Sequence, residues 1–197
     1  MVPVTAGSEQ LTRAMQSLEA AFLIGLEGVT EIWLVRHADC YFEMSDRSDP
    51  PLSSIGRDQA ARLARRLEHT ERAAVYSSPY QRAIETAKAI GRDVQVDDRL
   101  VEMELEVNDD GSLDLKEPLA DVLTRMTAAV DEMIARHPGQ RVIAVTHGMA
   151  IMSYLTDVLH LDPGHLRMYP YFTSISVVRA LGDRRMVGAL GDVAHLE

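Results

Sequence analysis

The sequence predicts an α/β fold: a single-domain, three-layer αβα sandwich with a mainly parallel central sheet. Three observations support this. Short, unbroken apolar runs at Ile32–Val35, Ala73–Ser77 and Val142–Val145 are rich in β-formers, as strands buried on both faces of a parallel sheet should be. Stretches with apolar residues every three or four positions separate these runs, so strands and helices alternate. Each run also stops abruptly at polar residues, the edge of an open α/β sheet where ligands bind. At 197 residues the chain is long enough for one sizeable core.

Leu11, Met15, Leu18 and Phe22 mark an amphipathic helix within 9–27. Residues 1–30 read as an N-terminal extension and 31–197 as the domain proper. The helix could pack on that domain or meet a second subunit, which makes a homodimer one expectation. Residues 31–36 form the first strand. A loop rich in Asp, Ser and Pro follows, from Asp39 to Ser53, with turn composition at 45–51. Ser53 or Ser54 then caps a helix reaching about Glu68, whose Arg62, Arg65 and Arg66 read as a solvated face.

After the strand at 73–77, Ser78-Pro79-Tyr80-Gln81 carries two helix-start signals, a proline and a Ser-x-x-Gln capping box. Arg82 falls in the first turn, where the macrodipole disfavours a cation unless an anion binds beside it. Val94–Val96 is a short strand leading to an acidic segment containing Glu102, Glu104, Glu106, Asp109 and Asp110. Leu119, Val122, Leu123, Met126, Val130, Met133 and Ile134 mark a long helix from Pro118 to about Arg136, stopped by His137-Pro138-Gly139. The strand at 142–145 ends in Thr146-His147-Gly148, and a helix follows to about His160. Asp162-Pro163-Gly164 reads as a turn, and 173–180 and 184–190 close the domain as two strands joined through Gly182-Asp183.

The net charge of −10 argues against nucleic acid or an anionic membrane as partner, while leaving room for a small anion held by local charge. The single cysteine, Cys40, precludes an internal disulfide and suits a reducing compartment. No run approaches the ~20 apolar residues of a membrane span, and no secretory leader is evident, so a cytoplasmic location is expected.

Arg36-His37, Ser77 to Arg82, Glu102 and Thr146-His147-Gly148 all lie at strand exits. In a parallel sheet they converge on one edge, where two arginines and two histidines would make a cationic pocket suited to phosphate. Guanidiniums grip its oxygens through paired, charge-assisted hydrogen bonds. An imidazole can attack phosphorus, and a carboxylic acid can protonate the leaving alkoxide.

These residues resemble the histidine phosphatase superfamily, also called phosphoglycerate mutase-like. Val35-Arg36-His37-Ala38 is similar to its Arg-His-Gly motif, and Leu52-Ser53-Ser54-Ile55-Gly56-Arg57-Asp58-Gln59-Ala60 to its Leu-Thr-x-x-Gly-x-x-Gln-Ala stretch. Ser77-Ser78-Pro79-Tyr80-Gln81-Arg82-Ala83-Ile84-Glu85-Thr86-Ala87 resembles the helix start that follows. Leu100-Val101-Glu102 matches Leu-x-Glu, and Val145-Thr146-His147-Gly148 matches the second histidine motif. Five motifs stand in order across residues 32–160.

The resemblance implies that His37 is a nucleophile forming a phosphohistidine. Arg36, Arg82 and His147, with Gly148, would bind the phosphate, and Glu102 would be the acid, with no metal or other cofactor. Ala38 replaces a glycine of the motif. Cys40 and Glu43 stand where many members carry small polar residues. The stretch after Glu102 lacks the usual Gly-x-x-x-Gly, so Glu104, or less readily Asp39, remains an alternative acid. The expected activity is hydrolysis of a small phosphorylated metabolite. A phosphoglycerate mutase is the first alternative and a catalytically silent phospho-ligand-binding module the second. The roughly fifteen residues between Glu102 and the helix at 118 offer little for the water-excluding lid a mutase needs.

Overall fold

A computed structural model describes residues 6–40, 49–162, 165 and 168–197. Six strands form one sheet: β1 (Thr30–Arg36), β2 (Ala74–Ser77), β3 (Val94–Val96), β6 (Arg141–Thr146), β7 (Ile175–Leu181) and β8 (Arg184–Asp192), in the order β3-β2-β6-β1-β7-β8. β3, β2, β6 and β1 run parallel; β7 is antiparallel to β1, and β8 to β7. A separate two-stranded ribbon joins β4 (Leu105–Val107) to β5 (Leu113–Leu115). The αβα sandwich expected from the sequence is therefore the observed fold.

Strand side chains alternate between two cores. Ile32 and Leu34 of β1, with Val142 and Ala144 of β6, pack beneath α4 (Leu119–Arg136) and α5 (Gly148–Val158). Val35, Ile143 and Val145 face the opposite way, onto α2 (Ser54–Leu67) and α3 (Gln81–Ile90). Met126 and Met133 of α4 are fully enclosed, as the apolar spacing of that helix requires. Both faces of β2, β6 and β1 are thus covered, and their chemistry is left to their ends, while the edge strand β3 stays partly exposed.

Four local expectations are revised. The first helix, α1, spans Ala6–Ala21 rather than 9–27, because the chain turns left-handed at Leu23 (φ 57°) and Gly25 (φ 69°). The capping box at Ser78 does not form. α3 begins at Gln81, and the Gln81 N–H donates to the Asp49 carboxylate at 2.7 and 2.9 Å while Ser78 Oγ lies 2.8 Å from His147 Nε2. The acidic segment folds back on itself as β4–β5. Arg62 and Arg66 are not purely solvated: Arg62 donates to the Leu196 carbonyl, and Arg66 is bonded to Asp192. Glu43 and the Pro163-Gly164 turn lie outside the described residues.

Ser53 caps α2, its hydroxyl accepting the Gly56 N–H at 2.9 Å. This helix start presses against the chain leaving β1: a Cβ at Gly56 would stand 2.0 Å from the Asp39 carbonyl oxygen. Backbone on both sides leaves nothing to yield. Gly56→Ala should therefore destabilise the protein by about 1–3 kcal/mol, the usual range for overpacking, read as a lower urea midpoint at unchanged m-value.

Candidate active site

The sheet ladder itself assembles the site. Arg36 pairs with Thr146 and Ser77 with Val145, so β1, β6 and β2 end level with one another. The ladder continues one step past each strand: His37 N–H donates to the Thr146 carbonyl and Ser78 N–H to the Val145 carbonyl, both at 2.9 Å. His37 and His147 are thereby held side by side, with ring centroids 5.0 Å apart. Both are buried.

His37 Nδ1 lies 2.8 Å from the Ala38 carbonyl oxygen. A carbonyl only accepts, so Nδ1 carries the proton and Nε2 keeps its lone pair. Burial is the main influence on this imidazole, and with the positive charges of Arg82 and Arg36 it outweighs the Ala38 hydrogen bond, pushing the pKa down to about 3. The neighbouring Ala38 N–H donates to Thr86 Oγ1 at 2.9 Å, fixing the turn on α3. His147 is also held well below the ordinary imidazole range, by burial first and then by His37 and Arg82. Its Nδ1 faces Arg82 Nη2 at 3.4 Å, and a guanidinium can only donate; Nε2–H is therefore the donor to Ser78 Oγ.

Arg36 is clamped between rings, its guanidinium carbon 4.0 Å from the centroid of Phe172 and 4.5 Å from that of Tyr169. Nη1 donates to the Pro170 carbonyl at 2.7 Å, while the buried Nε has no partner among the described residues. The clamp is tied to the strand by Thr173, whose N–H donates to the Arg36 carbonyl at 3.0 Å. Thr173 sits at φ 58°, a left-handed conformation that costs a β-branched residue about 1–3 kcal/mol. Its hydroxyl is held 2.9 Å from His195 Nε2 near the C-terminus. Arg82, also buried, meets Asp49 at 3.3 Å and stacks over Tyr80 at 4.6 Å.

Glu102 approaches from another direction. Oε1 accepts the Met103 and Ala150 N–H groups at 2.9 and 3.0 Å, and Oε2 accepts Met149 N–H at 3.2 Å, so the carboxylate caps α5 directly after His147. Gly148 begins that helix, and a Cβ there would stand 2.6–2.7 Å from the Tyr169 ring and hydroxyl. The glycine thus makes room for one wall of the Arg36 clamp. Glu104 is exposed beside the β4–β5 ribbon, and Asp39 Oδ1 accepts the Ser53 hydroxyl at 2.6 Å. The Cys40 thiol is buried and its pKa raised, chiefly by desolvation, which disfavours a thiolate.

Arg36, His37, Arg82, Glu102, His147 and Gly148 therefore gather at one edge. Sequence reasoning missed Tyr169, Phe172, Thr173 and Asp49, and read Ser78 as a helix cap rather than a partner of His147. A signal existed for the first two: Tyr169-Pro170-Tyr171-Phe172 concentrates three aromatics in a chain only 5% aromatic. Among the described residues no group of three or more His, Cys, Asp or Glu side chains is arranged to hold a metal ion. A cleft of about 610 Å³ at the far end of the sheet, lined in part by Leu23, Glu31, Arg72 and Arg141, contains none of the converging residues. Its Arg141 and Glu31 already satisfy each other at 2.7 Å.

Comparison with known proteins agrees with this geometry. The family model described as histidine phosphatase superfamily (branch 1) matches residues 32–112 and 106–192. A protein of Proteus mirabilis named probable phosphoglycerate mutase GpmB is 26% identical over 204 residues, covering 84% of this chain and 94% of the relative. The structure of Bacillus stearothermophilus YhfR superposes with a TM-score of 0.74 at 30% identity, over 85% of this chain and all of that one. A phosphoserine phosphatase mutant from Entamoeba histolytica, in complex with phosphoserine, shares the fold at 17% identity and a TM-score of 0.73, over 85% of this chain and all of that one. With the family model spanning nearly all of the sheet and the edge where the histidines meet, the chain belongs to the histidine phosphatase superfamily.

Proposed function

We propose that this chain is a phosphomonoester hydrolase acting on a small phosphorylated metabolite through a phosphohistidine at His37. One observation carries the reading: a neutral imidazole with its Nε2 lone pair free, beside a second imidazole and two guanidiniums. Arg36 Nε, buried without a partner among the described residues, and Arg82 take the phosphate oxygens, with His147 beside them. Asp49, now against Arg82, yields its place to the dianion. His37 Nε2 attacks phosphorus as the P–O ester bond breaks, and the departing alkoxide takes its proton from the Glu102 carboxylic acid. Glu102 then removes a proton from water. The water oxygen attacks phosphorus, the P–N bond breaks, and His37 returns to neutrality with inorganic phosphate released. Positioning and charge neutralisation are most of what phosphoryl transfer demands.

The mutase reading draws on the names of the sequence relatives. Hydrolysis is favoured by the segment after Glu102, which is spent on the β4–β5 ribbon, with exposed Glu106 and Val107, rather than on an enclosing lid. Glu102 is preferred as acid because it stands next to His147 at the start of α5, whereas Glu104 is exposed and Asp39 is engaged by Ser53.

Wild-type protein should release inorganic phosphate from an aryl phosphate, and His37→Ala should abolish it, as should quenching before the phosphoenzyme forms. Phosphate exchange between the 2 and 3 positions of glycerate, faster than its loss, would make the chain a mutase. Glu102→Gln should slow poor leaving groups far more than good ones, because only the former need a proton; an equal effect on both removes Glu102 from the acid role.

The pH profile of kcat/KM offers a third check, since it reports the free enzyme. A lowered imidazole pKa keeps His37 neutral well into acid. After correction for the substrate's own second ionisation near pH ~6, the acid limb should fall at about pH 3 rather than at the ordinary imidazole value of 6.5.

A further inference from the structure

We propose that α1 is a self-association element, pairing antiparallel with α1 of a second copy of this chain. Leu11, Met15 and Leu18 of the helix and Phe22, in the turn just past its end, expose 65%, 49%, 53% and 52% of their surface, although they continue one apolar stripe. Singly exposed apolar residues are ordinary, but a contiguous row marks an interaction site. The helix is tied to the body at its end, where Leu23 is buried and Arg184 donates to the Ala21 carbonyl at 2.7 Å.

The spacing identifies the occupant. Steps of four, three and four residues are those of a coiled-coil seam, in which positions a and d face a partner helix. Run antiparallel to a second copy, the stripe meets itself in matched layers, Leu11 against Phe22 and Met15 against Leu18. The flanks are compatible with this pairing: Ala14 faces Ala21, so the helices can approach closely, and Glu19 faces Thr12 rather than another carboxylate. The Glu9–Arg13 ion pair, at 3.7 Å, lies outside the seam. An antiparallel pair also sends the two domains to opposite ends, clear of each other.

Area sets the extent of the contact. A 16-residue helix is about 24 Å long, and a stable interface buries about 800 Å² per partner. The helix face alone falls short, and Ile24 and Leu26, 44% and 36% exposed just past the helix, are the apolar surface available to extend the contact.

Sedimentation of the full chain at micromolar concentration should give twice the 21.9 kDa chain mass. Leu18→Glu should sediment at the chain mass with phosphate release from an aryl phosphate unchanged, while Ser17→Glu, the same charge outside the seam, should remain a dimer. A wild-type monomer at all concentrations overturns the proposal and leaves the stripe to a different protein. A dimer that survives Leu18→Glu overturns it as well, by assigning the contact to another surface. Since the readout is mass, neither result bears on the proposed chemistry.

Discussion

Everything at this sheet edge depends on keeping two imidazoles and two guanidiniums dry and close together. Burial alone would be tolerable for neutral histidines. What makes the cluster costly is the pair of cations, which disfavours any further positive charge nearby. The imidazoles therefore shed their protons, and the same desolvation that lowers the His37 pKa leaves a lone pair on Nε2. Positive potential and an unprotonated nitrogen are hard to obtain together in water. Here they arise from one cause, because guanidiniums keep their charge under conditions where an imidazole does not.

That arrangement needs walls that neither hydrate nor compete for the anion. Aromatic rings meet both requirements. Phe172 and Tyr169 attract the Arg36 guanidinium by its charge while offering it no carboxylate, and Nε has no partner among the described residues. A glutamate in their place would satisfy the arginine and exclude phosphate. Among the described residues Asp49 is the one carboxylate in contact with either site arginine, and it meets Arg82 at 3.3 Å from a partly exposed position. The left-handed Thr173 is the cost of bending the chain back so that these rings face β1. Its hydroxyl donates to the Phe172 carbonyl at 2.7 Å and lies 2.9 Å from His195 Nε2, which holds the bend in place.

The strands were legible because β1, β2 and β6, buried on both faces, must be almost wholly apolar, and their exits must then be abrupt. Arg36, His37, Arg82 and His147 stood out for that reason: each breaks an apolar run or a helix rule. Residues that act through rings or backbone shape leave no such break. The aromatic cluster at 169–172 is visible in composition but does not say what its rings will cover, and nothing local announces that Thr173 will be left-handed. The Ser78 box misled for a physical reason. A hydroxyl has few partners to offer, and His147, distant in sequence, takes the one that local rules assign to the helix start. Asp49 supplies the missing cap from across the loop, a long-range substitution that short-range pattern cannot anticipate.

Glu102 presents the opposite problem, a residue whose segment has no regular ladder to hold it. The three carbonyls before it are nonetheless all engaged. Arg125 Nη1 donates to those of Arg99 and Val101 at 2.9 and 2.6 Å, and Thr146 Oγ1 donates to that of Leu100 at 2.6 Å. Arg125 is itself anchored by two hydrogen bonds to Glu117, at the base of α4. A loop whose consecutive carbonyls are tied to a helix and a strand loses the freedom that usually makes loops imprecise. The carboxylate then completes its own placement by capping α5, the helix that His147 introduces. A rotation of α5 would carry Glu102 and His147 together, so the spacing between them is a property of one helix start rather than of two independent elements.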